Sequence, residues 1–361
     1  MSNDRTLNLR EQRSTLTTSG IDLEQIYWRP AVKPLQLLIL VLCLPASSAS
    51  AEETFVAFWN VENLFDTVDD PNVEGDEEFT PTGPNKWTEE RLAIKLANLT
   101  KVISKMNGGK GPDVLGLAEI ENRKVIELLI AKLQPLGRDY KIVHKDSPSG
   151  RGIDCGLIYD AKVFTEVSSK FHHVEAETTR DIVEAELKRG DASLFVFVNH
   201  WPARSHPESF RVTAGKTLRT RIDQILAADP ETDILAIGDF NDHPTDEGIK
   251  TTLGTVAAAS EAVGGKLLNT SFSTTPDATN GTYVYKNKWE IIDQIVLSPG
   301  LLKAPGFRWK EGSSKTLLVM PEQLFDPSGS AIPRPNRSYS GPIFHATGIS
   351  DHLPVGAVLE R

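Results

Sequence analysis

The sequence has little cysteine and no surplus of positive charge. Two cysteines occur in 361 residues, and Cys43 lies in an apolar segment that we expect to be removed, which leaves Cys155 without an intramolecular partner. The formal net charge is −10, so the molecule as a whole repels nucleic acid and anionic membranes. A disulfide-stabilised scaffold is therefore excluded, and any polyanionic ligand must be held by a local site.

Long apolar runs are also lacking, and the one near the start is too short to cross a bilayer comfortably. This run, at 35–44, follows a lysine and a proline and precedes small residues at 49–51, which is the order of a signal peptide. We expect residues 1–51 to be a signal peptide with a long N-terminal region, cleaved before Glu52, and the mature protein to be secreted or periplasmic. A buried core helix is the alternative. Leu42 stands where a lipid-attachment signal requires a small residue, so we expect no stable membrane anchor.

The remaining chain, 52–361, has no internal repeat and no linker rich in proline, glycine or serine, which predicts one domain. Amphipathic stretches predict helices that begin after Thr88 and stop at Gly108-Gly109, and that cover about 122–133 and 208–228. Short apolar runs predict strands at 55–59, 114–118, 140–143, 156–159, 194–198, 234–237, 291–297 and 355–359. This mixed order favours an α/β protein with packed sheets.

Polar residues stand at one end of each of six apolar runs. These residues are Asn60, Glu119, Asn199-His200, Asp239 to Asn241, Asp293 and Ser350 to His352. Because strand ends of one sheet meet at one rim, we expect these side chains to form a polar cluster above an apolar core. Each residue alone is compatible with a turn cap, a surface carboxylate or a structural histidine, and their co-occurrence favours an active site.

The residue types narrow the chemistry of this cluster. Aspartate, glutamate and asparagine oxygens suit a hard cation such as Mg²⁺, with Mn²⁺ or Ca²⁺ as alternatives, and zinc is less suited because thiolates are absent. Two histidines among carboxylates fit phosphoester hydrolysis. The sequence has no serine nucleophile elbow, HExxH motif or Walker loop.

Six segments together resemble, in order, the endonuclease/exonuclease/phosphatase superfamily, whose fold is that of DNase I. They are WNVENLF (59–65), LAEIEN (117–122), NHWPAR (199–204), GDFND (238–242), IIDQIVLS (291–298) and SDHLPV (350–355). The resemblance covers the mature chain and implies two packed mixed β-sheets flanked by helices, a four-layer sandwich. RGIDCGLIYD (151–160) and NHWPAR resemble the bacterial secreted nuclease-like branch in particular.

The resemblance also implies a role for each site residue. The metal would be held by Asn60, Glu119 and Asp351. The catalytic residues would be His200, Asp239, Asn241, Asp293 and His352. The substrate-side residues would be Arg151, Asp154 and Arg204. Asp239 and Asn241 would orient the water and the phosphate, His352 paired with Asp293 would be the general base or an electrostatic partner, and His200 would stabilise the phosphoryl oxygens.

We therefore expect a secreted Mg²⁺-dependent phosphodiesterase, acting as a monomer on nucleic acid. A phosphoesterase for a lipid headgroup, an inositol phosphate or another small phosphoester is the alternative, and the negative net charge favours it slightly. A binding module that has lost catalysis ranks below both, because every catalytic position is filled.

Overall fold

A computed structural model describes residues 52–176, 179–326 and 332–361. The signal peptide predicted at 1–51 lies outside the described residues. Within the three described ranges, no helix combines the length and the apolar character that crossing a membrane requires.

The described chain alternates strands with a few long helices. The α-helices are α1 (Glu89–Gly109), α2 (Arg123–Leu133) and α3 (Glu208–Ala228), and a π-helix covers Glu247–Thr252. The strands of the first half are β1 (Glu53–Leu64), β2 (Val114–Ile120), β3 (Tyr140–His144), β4 (Asp154–Asp160), β5 (Thr165–His172), β6 (Ile182–Arg189) and β7 (Ala192–His200). Those of the second half are β8 (Asp233–Asp239), β9 (Thr255–Val256), β10 (Leu267–Asn269), β11 (Tyr283–Tyr285), β12 (Lys288–Glu290), β13 (Asp293–Leu297), β14 (Arg308–Trp309), β15 (Lys315–Thr316), β16 (Leu324–Phe325), β17 (Arg334–Pro335), β18 (Tyr339–Ser340), β19 (Ile343–Phe344) and β20 (Val355–Glu360).

The structure confirms the predicted bounds of all three helices, and side chains cap the starts of α1 and α2. The Thr88 side chain accepts a hydrogen bond from the Arg91 backbone N–H at the start of α1, and acidic residues occupy the first turn, where they favour the helix dipole. Asn107 and Gly108 have positive φ angles, so the regular α-helical conformation ends before them. The Asn122 side chain caps α2 in the same way that Thr88 caps α1.

Two seven-stranded sheets form the centre of the molecule. In the first sheet the order is β14-β20-β1-β2-β4-β3, with β15 also paired to β20, and in the second it is β5-β6-β7-β8-β13-β10-β9. Both sheets are mixed, since β1 runs parallel to β2 but antiparallel to β20, and β7 runs parallel to β8 but antiparallel to β6.

The sheets pack face to face, with helices on both outer faces. Phe58, Val198 and Ile237 belong to the core between the sheets, where a Cβ added at Gly116 would meet all three at 3.1 Å. A side chain at that position would require these neighbours to shift by a few tenths of an ångström. On the outer faces, α1 and α2 cover the first sheet and α3 covers the second. The predicted four-layer sandwich is confirmed.

Candidate active site

Register alone places three polar side chains next to one another on the second sheet. His200 of β7 pairs with Asp239 of β8, and Asp239 pairs with Asp293 of β13. Gly238 permits this spacing, because a Cβ there would lie 2.5 Å from the Asn199 carbonyl oxygen. The three residues therefore stand side by side at one rim of the sheet.

The first sheet contributes Asn60 and Glu119 to the same rim. Asn60 pairs with Ala118 across the parallel strands β1 and β2, and the next residue, Glu119, adopts a φ of 58°. The Asn60 amide donates hydrogen bonds to Glu119 Oε1 at 3.2 Å and to Asp239 Oδ2 at 3.0 Å. This one amide links the two sheets at the site.

The loop before β20 carries His352 into the cluster. Ser350 Oγ donates to the Asn60 carbonyl at 2.7 Å, and the Trp59 indole N–H donates to the His352 carbonyl at 3.0 Å. These contacts hold the imidazole so that its Nδ1 lies 2.8 Å from Asp293 Oδ2. We refer to His200, Asp239, Asp293 and His352 as the catalytic cluster.

Asp239 lies between the two histidines of the catalytic cluster. Its Oδ2 is 3.6 Å from His200 Nε2 and 3.7 Å from His352 Nε2. Burial raises the pKa of Asp239 to about 7, although His352 acts in the opposite direction. Three of the four residues, Asp239, Asp293 and His352, also bring their ligand atoms within 4.8 Å of one another.

The two histidines have opposite charge preferences. Burial lowers the pKa of His200 well below its ordinary value, and the cations Arg180 and Arg151 add to that effect. Burial also opposes the charged form of His352, but Asp293 and Asp239 outweigh it and raise the pKa of His352 well above the ordinary value. Near neutral pH, His200 is therefore neutral and His352 is an imidazolium.

The residues implied as metal ligands offer oxygen atoms that suit a hard cation. Glu119 is only partly buried, and its Oε2 accepts a hydrogen bond from the Asn63 N–H at 3.0 Å. Asp351 pairs with Arg337 at 2.8 Å, and its other oxygen lies 4.0 Å from His352 Nε2. Asn60 turns its amide nitrogen toward Glu119, so in this arrangement it positions that carboxylate.

Asn241 and the three substrate-side residues have different surroundings. Asn241 donates its backbone N–H to Asp239 Oδ1 at 3.0 Å. Arg151 is exposed and donates to Asn63 Oδ1 beside the Glu119 end of the site. Arg204 pairs with Glu290, away from direct contact with the catalytic cluster. Asp154 is buried and accepts from the Ser147 N–H at 3.0 Å, on the loop that precedes Arg151.

Arg180 is a site residue that sequence analysis missed. Its side chain is buried, and among the described residues its Nε has no hydrogen-bond partner. Because Val183 pairs with Val198 in antiparallel strands, continuing the register places Arg180 beside the end of β7 that carries His200. Burial lowers the pKa of Arg180, and Glu119 partly restores it. The available signal was weak, since an arginine before a strand is usually exposed.

Tyr283 was also missed, because nothing in its local sequence marks it. The antiparallel bridge between Tyr283 and His352 brings their ring centroids to 4.7 Å. Burial raises the pKa of Tyr283 to about 12, so this phenol stays neutral beside the imidazolium.

Solved structures with the same architecture come from several organisms. The chain is similar to D. rerio TDP2 humanized by 14 mutations, with a TM-score of 0.54 and 13% identity over 86% of this chain and 99% of that one. It is similar to the Bacteroides thetaiotaomicron mannosyl-6-phosphatase, with a TM-score of 0.53 and 17% identity over 85% and 99% of the two chains. It is also similar to an endonuclease/exonuclease/phosphatase family protein of the same bacterium, with a TM-score of 0.53 and 17% identity over 86% of this chain and 98% of that one. No curated protein matches the chain.

These likenesses, all at low identity, establish the fold. The sequence itself adds the family, because residues 55–361 match the profile of the endonuclease/exonuclease/phosphatase family. That stretch contains both sheets and every residue of the site described above. The chain belongs to the endonuclease/exonuclease/phosphatase family.

Proposed function

We propose that this protein is an exported, Mg²⁺-dependent phosphodiesterase that hydrolyses nucleic acid, of the bacterial secreted nuclease-like branch. The observation that carries the catalytic part is the position of Asp239 Oδ2, which lies 3.6 Å from Nε2 of His200, where the neutral imidazole is favoured, and 3.7 Å from Nε2 of His352, where the charged form is favoured. The family hydrolyses phosphoesters, and this arrangement supplies a water-orienting carboxylate between two imidazoles without any side-chain nucleophile.

The residues of the site divide the reaction between them. Asp239, held by the Asn241 N–H, accepts a hydrogen bond from the attacking water. His352, held by Asp293, presents a charged N–H to a phosphoryl oxygen, and the neutral His200 presents its Nε2 to the same region. Arg180, beside the end of β7 that carries His200, supplies a buried positive charge that stabilises the phosphoryl group.

A cation held by Glu119 and Asp351 would supply Lewis-acid stabilisation of the developing negative charge. The oxygen donor set fits this use. Asn60 fixes the orientation of the Glu119 carboxylate by its hydrogen bond at 3.2 Å, and Arg337 fixes that of Asp351 at 2.8 Å. Both carboxylates are thus restrained before any cation binds.

A metal-dependent activity panel tests the proposal. The purified mature chain is assayed on DNA, RNA, bis(p-nitrophenyl) phosphate, sphingomyelin and inositol phosphates, with Mg²⁺, Mn²⁺, Ca²⁺ or a chelator. We expect Mg²⁺-stimulated cleavage of DNA or RNA. Cleavage confined to sphingomyelin or to small phosphomonoesters would contradict the substrate assignment, and no metal-stimulated hydrolysis at all would contradict the activity. N-terminal sequencing of the exported protein tests cleavage before Glu52.

Hydrolysis of a small phosphoester is the second candidate function. The net charge of −10 favours it, because a polymer-binding face is usually basic. The two candidates differ in salt dependence. A nucleic-acid substrate releases counterions on binding, so its KM should rise steeply with salt, whereas the KM for a small phosphoester should change little.

A further inference from the structure

A cationic pocket adjoins the catalytic cluster on the side of the β11–β12 hairpin. It encloses about 210 Å³, and its lining includes Tyr283, Lys286, Arg334, Arg337 and Asp351. Two of these residues also border the catalytic cluster. The Tyr283 ring centroid lies 4.7 Å from that of His352, and Asp351 Oδ1 lies 4.0 Å from His352 Nε2. The cationic pocket therefore borders the catalytic cluster through Tyr283 and Asp351.

The positive charge of this pocket is only partly neutralised. Arg337 pairs with Asp351 at 2.8 Å. In the described ranges, Lys286 and Arg334 have no carboxylate within 4.0 Å, and Lys286 Nζ instead lies 5.0 Å from the centroid of the Tyr285 ring. In a chain of net charge −10, two cations without acidic partners at the edge of an active site create a local attraction for anions.

The backbone at Lys286 gives an independent reason to assign it a ligand. Lys286 and Asn287 form the two-residue turn between β11 and β12, with φ values of 48° and 58°. Turns of this kind favour asparagine and glycine, and a left-handed lysine costs about 1 kcal/mol. Residues kept in such conformations cluster at ligand-binding sites. Lys286 is thus a residue that the turn itself does not favour, and it lines the pocket.

We propose that the cationic pocket binds a second phosphate group of the substrate, next to the phosphodiester that the catalytic cluster cleaves. The proposal rests on the proposed function. In an oligonucleotide this group is the neighbouring backbone phosphate, and a small bisphosphate would present the same chemistry. Lys286 and Arg334 donate charge-assisted hydrogen bonds to it, which is the interaction that selects phosphate over an uncharged group.

The test compares substrates with and without a second phosphate. The values of kcat/KM are measured for bis(p-nitrophenyl) phosphate, for dithymidine monophosphate and for the same dinucleotide bearing an additional terminal phosphate at either end. The variant is Lys286→Ala combined with Arg334→Ala. Lys288→Ala is the matched control, because Lys288 is an exposed lysine of the same hairpin that does not line the pocket.

We expect kcat/KM of the double variant on the dinucleotide with the second phosphate to fall by about 10-fold to 100-fold. A loss of this size corresponds to the free energy of a hydrogen bond to a charged group. Activity on bis(p-nitrophenyl) phosphate should stay within about twofold of the wild type, and Lys288→Ala should change neither. Equal losses on all substrates, or no loss on any, would overturn the proposal.

An inhibition experiment tests the pocket without requiring that nucleic acid is the substrate. It also tells whether the second phosphate can belong to a small bisphosphate. Fructose 1,6-bisphosphate and fructose 6-phosphate are compared as inhibitors of bis(p-nitrophenyl) phosphate hydrolysis. Stronger inhibition by the bisphosphate that disappears in the double variant supports a second-phosphate pocket even if no nucleic acid is cleaved. Equal inhibition by the two sugars, together with no preference for the phosphorylated dinucleotide, would refute the pocket while leaving phosphodiesterase activity intact.

Discussion

Two buried acidic side chains on the second sheet have opposite electrostatic surroundings. The Glu184 carboxylate on β6 accepts two hydrogen bonds from the Arg221 guanidinium, at 2.6 Å and 2.7 Å, and lies 2.6 Å from His172 Nε2. Among the described residues, the Asp239 carboxylate on β8 accepts hydrogen bonds from the Asn60 amide and the Asn241 N–H alone. Burial alone would raise both pKa values, but Arg221 and His172 lower that of Glu184 to about 2, whereas that of Asp239 is about 7.

We expect this contrast to separate a structural role, for Glu184, from the catalytic role proposed for Asp239. The buried Glu184 carboxylate is paired with a cation, Arg221 of α3, at 2.6 Å. In the catalytic cluster, by contrast, Asp293 Oδ1 and His200 Nδ1 have no hydrogen-bond partner in the described residues. Unsatisfied groups of this kind destabilise a folded protein and are kept where a ligand completes them.

Removing the charge that holds His352 should have the largest effect. In Asp293→Asn the imidazole loses the carboxylate 2.8 Å from its Nδ1, so it no longer carries a stable positive charge. We expect kcat on bis(p-nitrophenyl) phosphate to fall by about 10²-fold to 10⁴-fold. The free energy of unfolding, measured by urea denaturation, should fall only modestly, because an imidazolium that loses its carboxylate partner can release its proton and become neutral. A marked loss of stability together with the loss of activity would place Asp293 in the structural class with Glu184.

Arg180 should be the next most sensitive position. In Arg180→Met the site loses a buried cation near His200, and we expect kcat to fall by about 10²-fold to 10³-fold, as for the loss of one transition-state donor. Arg180→Lys should recover part of the activity, since it keeps the charge without the planar guanidinium. Circular dichroism controls for folding. Equal activities of the two variants would show that charge at this position does not act on the reaction.

Glu184→Gln should show the reverse pattern. Removing one partner of a buried pair leaves Arg221 uncompensated, so we expect the free energy of unfolding to fall by about 3 kcal/mol while kcat changes less than twofold. Asp239→Asn is the matched variant on the same sheet. It should lower kcat by about 10²-fold without lowering stability, because burial raises the pKa of Asp239 to about 7 and the fold therefore disfavours its charged form.

The same pair predicts a pH dependence of stability. The pKa of Glu184 is lowered in the folded state, from an ordinary value of 4.5 to about 2. Its contribution is therefore complete above pH 4.5 and is lost as the pH falls from there toward 2. Urea denaturation between pH 2 and pH 6 should show a shallower acid slope for Glu184→Gln than for the wild type. Identical slopes would mean that this carboxylate is not selectively stabilised by folding.

Cation binding should give the smallest effect. At a Mg²⁺ concentration about tenfold above its Kd, mass action adds about 1.4 kcal/mol, which raises Tm by about 2–4 °C in a chain of this size. Glu119→Gln should abolish this rise, and Glu184→Gln should retain it. A Tm that responds equally to Mg²⁺ in both variants would place the cation elsewhere.

Much of the fold could be predicted from local sequence. Thr88 and Asn122 marked the starts of α1 and α2, and the strands with continuous apolar runs were identified because they are buried on both faces. The strands β5 and β6 were missed. In β5, exposed polar residues alternate with half-buried ones, since this strand lies at the edge of the sheet, so no apolar run forms.

The sequence by itself determined the architecture, the family and the residue types at the strand ends, because period, capping and motif order are local properties of the chain. Tertiary structure alone decided their chemical states. The sequence around His200 and His352 does not distinguish their charges. In the fold, Arg180 lies near His200 and Asp293 lies beside His352. Because both imidazoles are buried, these neighbours determine whether the neutral or the charged form is favoured. The tertiary structure also decided that Asp154 accepts a hydrogen bond from Ser147 and that the Tyr283 ring packs against His352. Contacts between residues far apart in the chain depend on the register and packing of whole sheets, which no local pattern encodes.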